Sequence, residues 1–201
     1  MDQLLTTYIL IAITVIFSLK GFNDSYFTEK YLFKPYEVNH DKEWYRILSH
    51  TLLHADALHL FFNMFTLFGF GRIVEETYIY DYGKPLGTAY FLALYVLGAL
   101  FATVIPYLRH KDNPGYRSLG ASGAVSAVIF AGILLFPTEI HIYGIPAWIF
   151  GPLYLAFEFW ADRNGKTGIA HDAHIGGAIF GILFVLITNI ERVKATINLL
   201  F

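Results

Sequence analysis

A chain of 201 residues with 56% hydrophobic and 18% aromatic side chains and only 15% charged ones is poorly suited to water, where ordinary domains carry about a quarter charged residues. The net charge of −2, without any block of like charges, speaks against nucleic-acid partners, and the absence of cysteine excludes disulfides and thiolate metal sites. A hydrocarbon core about 30 Å thick takes roughly 20 apolar residues of helix to cross, so the length accommodates about six spans in one membrane domain, residues 1–201.

Six apolar stretches are expected to span: Leu4 to Leu19, Leu58 to Ile73, Leu86 to Leu108, Leu119 to Phe136, Ile142 to Trp160 and Ala170 to Ile190. The first follows only Met1-Asp2-Gln3, with no basic segment before it and no small-residue cleavage pattern after it, and reads as a retained span. Lys20 to Ala57 mixes charges, Gly21 and Pro35 with many aromatics and reads as a long interfacial first loop. The other connections, Val74 to Pro85, Arg109 to Ser118, Pro137 to His141 and Ala161 to Ile169, are short and favour antiparallel neighbours. The fold class expected is an all-α membrane protein, a six-transmembrane-helix bundle.

Polar groups inside apolar spans are costly, so each is a candidate functional residue. Three sets stand at the starts of the second, fourth and sixth stretches: His50, His54, His59 and Asn63; Gly120-Ala121-Ser122-Gly123; and His171-Asp172-Ala173-His174. Alternate spans run in parallel, so all three enter from one side and can meet at one depth. A serine hydroxyl becomes a nucleophile when a neutral imidazole takes its proton, and Ser122 with His174 supplies that pair. His59 and Asn63, four apart, share a helix face about 40° wide and can donate to an oxyanion together with the Ser122 amide. Gly120, Gly123, Gly177 and Gly181 suit close helix packing.

These motifs resemble the rhomboid family. Gly120-Ala121-Ser122-Gly123 is similar to its GxSG motif, and the segment from Ala173 through His174, Gly177 and Gly181 to its AHxxGxxxG helix. His59 and Asn63 match its HxxxN pair, His50 and His54 the histidines before it, and Tyr45-Arg46 the usual Trp-Arg of the first loop. The resemblance implies the basic six-helix form, an intramembrane serine endopeptidase with Ser122 as nucleophile, His174 as general base and no required third acid. It also implies single-span membrane-protein substrates entering laterally near the fifth span, no metal or organic cofactor, and an extracytoplasmic active site in a cell (inner) membrane. Ser126 departs from the pattern, since many relatives carry there a tyrosine packing against the histidine; Tyr45 replaces the tryptophan. The resemblance places both termini in the cytoplasm. The Lys and Arg count argues the reverse, because Lys20, Lys30, Lys34, Lys42, Arg46, Arg109, Lys111, Arg117, Arg163 and Lys166 lie on the opposite side.

Each motif alone also has a bland reading: GxSG and Gly177/Gly181 as packing faces, His50, His54 and His171 as interfacial or loop-ordering residues, and Glu158 as a group that reaches the interface or pairs with a neighbour rather than a gate or substrate contact. A metal-dependent protease built on the histidines is disfavoured because no HExxH occurs and no general-base glutamate stands within the histidine cluster. A non-proteolytic rhomboid-like protein that binds membrane helices is the alternative function.

Overall fold

The computed structural model describes residues 5–165 and 168–200. Met1-Asp2-Gln3, Leu4 of the first stretch and Lys166 of the basic count lie outside them. Helix α1, Leu5–Asn23, is inverted relative to a helix in water: its buried residues are Thr7, Thr14 and Ser18, while Leu5 and Ile16 are exposed. This follows when the surrounding solvent is as apolar as leucine and only the polar groups need protein partners.

The chain then folds into short helices α2 (Ser25–Tyr31), α3 (Pro35–His40) and α4 (Arg46–Ser49), followed by a 3₁₀ turn over His50–Leu52. Buried Arg46 ties α4 to the end of α2 by donating to the carbonyl oxygens of Glu29 (3.0 Å) and Leu32 (2.9 Å).

Helix α5 (Ala57–Thr66), a π-helical turn over Leu67–Gly71 and α6 (Arg72–Tyr82) form one continuous rod. The expectation that the second stretch stops at Ile73 is corrected here. The helix continues because Glu75, which ends the hydropathic run, is fully buried and satisfied: the amides of Thr6 (3.0 Å) and Thr7 (2.9 Å) and the Thr7 hydroxyl (2.6 Å) all donate to its carboxylate. The connection to α7 (Lys84–His110) is then Gly83 alone, at φ +76°.

Helix α8 (Ser122–Leu135) is central; every residue except Ser122, Ile129 and Leu134 is buried. A two-stranded hairpin, β1 (His141–Ile142) and β2 (Ile145–Pro146), replaces the expected start of the fifth stretch, turning through Tyr143 and Gly144 at positive φ. Helix α9 (Ala147–Asn164) follows, then α10 (His171–Thr188) and α11 (Ile190–Leu200). Among the described residues, four helices are long and apolar enough to cross a membrane: Leu5–Asn23, Ala57–Tyr82, Lys84–His110 and His171–Thr188. The expected count of six is not reached on that measure, because α8 has only 14 residues and α9 carries Glu158, Asp162 and Arg163 toward its end.

Glycines set the spacing of the inner helices. A Cβ on Gly177 would lie 2.0 Å from the Gly123 carbonyl oxygen, and one on Gly181 2.1 Å from that of Ala127, so α10 meets α8 backbone to backbone. Gly123 presses in turn on Ala102 of α7, where its Cβ would come within 2.4 Å of the alanine methyl.

Candidate active site

Ser122 is the first residue of α8, and at a helix start its N–H has no acceptor within the helix. His174 stands in the first turn of α10. The two helix starts abut, the Ala173 carbonyl oxygen lying 3.4 Å from the position of a Gly123 Cβ. Ser122, His174, His59 and Asn63 line one open cavity of about 760 Å³, together with Tyr116, Arg117 and Ser118 of the loop before α8. A second space of about 20 Å³, bordered by Ser122, His50, Thr51 and Ser118, has room for one water.

The loop into Ser122 is held at three points. Phe33 and Ser118 exchange backbone hydrogen bonds of 2.9 and 3.1 Å, the Gly120 amide donates to the His50 carbonyl (3.1 Å), and the Ala121 amide donates to His54 Nε2 (3.3 Å). Because Nε2 accepts, the proton of neutral His54 sits on Nδ1, which donates to the Ser18 hydroxyl (2.9 Å); that hydroxyl donates to Leu52 O (2.9 Å). Gly120 adopts φ +135°, and a Cβ there would fall 2.8 Å from His59 Cε1, so both conformation and space require glycine. Asp56 caps α5 by accepting from the His59 amide (2.8 Å), and Asn63 Nδ2 donates one proton to His59 O (3.0 Å), leaving its second N–H for the cavity.

Burial holds His54 down at about 3 and His50 down at about 4, against 6.5 for an exposed histidine. Both are therefore neutral when folded and protonate readily when unfolded. The stability this contributes is complete above about pH 6.5 and is lost as pH falls toward 3–4. The thermal midpoint of the detergent-solubilised protein is expected to fall steadily between pH 7 and pH 4, with a shallower slope in His54→Gln; a flat or rising midpoint would contradict the assignment.

Sequence reasoning placed no glutamate in the histidine cluster, and the structure corrects this. Glu158 of α9 is 3% exposed, with Oε1 3.1 Å from His174 Nδ1 and Oε2 2.6 Å from His171 Nδ1. The Tyr154 hydroxyl, one turn earlier on α9, lies against both this carboxylate and the Ser126 hydroxyl. Donor atoms of Glu158, His171 and His174 all lie within 4.8 Å of one another, a set chemically able to hold a divalent cation. The 2.6 Å contact, however, is a hydrogen bond; two ligands of a tetrahedral zinc stand roughly 3.3 Å apart at bond lengths of about 2.0–2.1 Å. Asp172, two residues from His174, instead pairs with Arg109 of α7 (3.4 Å), which also binds Asp162 of α9 (2.7 Å).

A helical bundle that turns apolar side chains outward and opens a cavity bordered by serine, histidine and asparagine side chains at three helix starts defines a multi-pass integral membrane protein. The Rhomboid domain family model matches residues 41–190, and the chain belongs to the rhomboid family. Rhomboid protease GlpG of Haemophilus influenzae is 29% identical over 189 residues, which cover 91% of this chain and 90% of that protein. The mitochondrial presenilin-associated rhomboid-like protein of Bos taurus is 30% identical over 154 residues, 69% of this chain but 37% of that protein. Rhomboid protease GluP of Bacillus subtilis is 26% identical over 157 residues, 76% of this chain and 28% of that protein. The chain thus spans most of the first relative and well under half of the other two.

Proposed function

We propose that this protein is an intramembrane serine endopeptidase that cuts transmembrane helices of single-span membrane proteins through a Ser122–His174 dyad. The observation that carries the reading is the convergence of Ser122, His174, His59 and Asn63 on one cavity at the starts of α5, α8 and α10. Kinship to two proteins named as rhomboid proteases supports it.

In this reading α1, the rod of α5 and α6, α7, α8, α9 and α10 are the six spans. Helix α8 rises only about 21 Å at 1.5 Å per residue, less than a core of about 30 Å, so Ser122 lies recessed below one membrane face and water reaches it through the cavity. Residues 24–56 lie at the interface, with Tyr26 and Trp44 exposed toward the headgroups. Both termini face the cytoplasm and the cavity opens to the other side of a cell membrane.

A substrate helix unwinds at the cavity, because a peptide bond within an intact helix is inaccessible. Ser122 Oγ bonds to the carbonyl carbon as its proton passes to His174 Nε2, while the oxyanion is met by the Ser122 amide, His59 and Asn63. His174 then gives the proton to the leaving amine, the C–N bond breaks, and water, deprotonated by His174, hydrolyses the acyl-enzyme. No metal or organic cofactor takes part.

The test is cleavage of a single-span protein in liposomes by the purified chain. Wild type is expected to cut, with or without a chelator, and Ser122→Ala and His174→Ala are not. Cutting that survives Ser122→Ala, or that stops with chelator, would overturn the serine reading; a wild type silent toward several substrates would favour helix binding without proteolysis.

A further inference from the structure

We infer that Glu158 is a positioning residue for His174, fixing the imidazole through its Nδ1–H so that Nε2 is presented unprotonated as the base; the inference rests on the dyad proposed above. A dyad needs no third acid, but this chain brings one to the correct nitrogen.

An ionised carboxylate only accepts hydrogen bonds. At 3.1 Å, Glu158 Oε1 therefore selects the tautomer of His174 with its proton on Nδ1. The two ring nitrogens point to opposite sides of the imidazole, so Nε2 lies on the far side of the ring from Glu158, and His174 borders the cavity that Ser122 also borders.

The carboxylate is itself fixed. His171, one turn before His174 on α10, bonds the second oxygen through Nδ1 at 2.6 Å, and the Tyr154 hydroxyl lies against the same group. A charge buried to 3% exposure is tolerable only when paired and hydrogen-bonded in this way. Arg109, joined to Asp162 one turn beyond Glu158 (2.7 Å) and to Asp172 beside the base (3.4 Å), holds the ends of α9 and α10 in register with α7. The imidazolium formed during attack would be stabilised by the Glu158 charge, an interaction stronger in the transition state than in the resting enzyme.

A merely structural Glu158, tying α9 to α10 through His171, would predict something else. Removing it would lower the thermal midpoint and leave the turnover of the folded fraction intact. The two are separated by steady-state kinetics of full-length wild type, Glu158→Gln, Glu158→Asp and His171→Ala in liposomes, on one single-span substrate.

The positioning role predicts a kcat loss of about 10²-fold or more in Glu158→Gln, with KM within about twofold and partial recovery in Glu158→Asp. A folded Glu158→Gln enzyme whose kcat stays within about threefold of wild type overturns it, provided Ser122→Ala and His174→Ala are inactive in the same assay. Activity in Ser122→Ala would instead remove the dyad itself.

Should Glu158→Gln not fold, wild type alone decides. ¹⁵N-histidine-labelled protein is expected to show a downfield, hydrogen-bonded Nδ1 proton that disappears in His174→Ala. A His174 carrying its proton on Nε2 would overturn the inference.

Discussion

Gly177→Ala is expected to cost about 10²-fold or more in activity and about 3 kcal/mol or more in stability, a large effect for one methyl group. The added Cβ would sit 2.0 Å from the Gly123 carbonyl oxygen and 2.9 Å from its carbon. Overpacking against flexible side chains typically costs about 1–3 kcal/mol; here the obstacle is backbone, which cannot rotate away. Helix α10 must move off α8, and because Gly123 follows Ser122 while Gly177 lies one turn after His174, the displacement acts directly on the proposed dyad. A misplacement of about 1 Å costs about 10²-fold. The check is unfolding in detergent alongside turnover in liposomes. Gly69→Ala, where a Cβ meets nothing within 4 Å, is the control expected to behave as wild type on both. Equal behaviour of the two variants would mean that α8 and α10 are not in backbone contact.

His59→Ala and Asn63→Ala are each expected to lower kcat by about 10²–10³-fold with little change in KM, the usual cost of one oxyanion donor. The geometry distinguishes them. His59 packs against Gly120 and meets the His54 ring edge-on at 4.9 Å, so its loss also loosens the loop into Ser122. Asn63 spends one N–H on its own helix and has only the other for substrate. His59→Ala is therefore expected to be the less stable of the two, and Asn63→Asp, which keeps the shape but loses both donors, to be as inactive as Asn63→Ala. Full activity of Asn63→Asp would remove Asn63 from the oxyanion site.

Ser122, His174, His59 and Asn63 are conspicuous in the sequence because apolar runs do not carry polar groups without cause, and the same four line the cavity. Hydropathy was a poorer guide to element ends. It stopped the second helix at Ile73, since a charge looks like a terminus whether it meets water or, as Glu75 does, three donors from α1. It also ran the fifth stretch through a hairpin of apolar residues.

The tertiary partners of Glu158 and His54 were not legible at all. Glu158 is 13 and 16 residues from the histidines it binds, on a different helix, and nothing in local spacing aims a glutamate of α9 at α10. A signal did exist in Tyr154 and Glu158, polar atoms one turn apart on an apolar helix, beside the departure at Ser126. Local spacing does not say that this face is buried or what it meets.

The most direct measurement is covalent. Purified protein in detergent would be treated with a fluorophosphonate, which bonds to an activated serine hydroxyl, and the adduct located by mass spectrometry. Activation of Ser122 by His174 predicts a single adduct on Ser122, formed in wild type and lost in His174→Ala. An adduct on another serine, or equal labelling of Ser122 without His174, would contradict it.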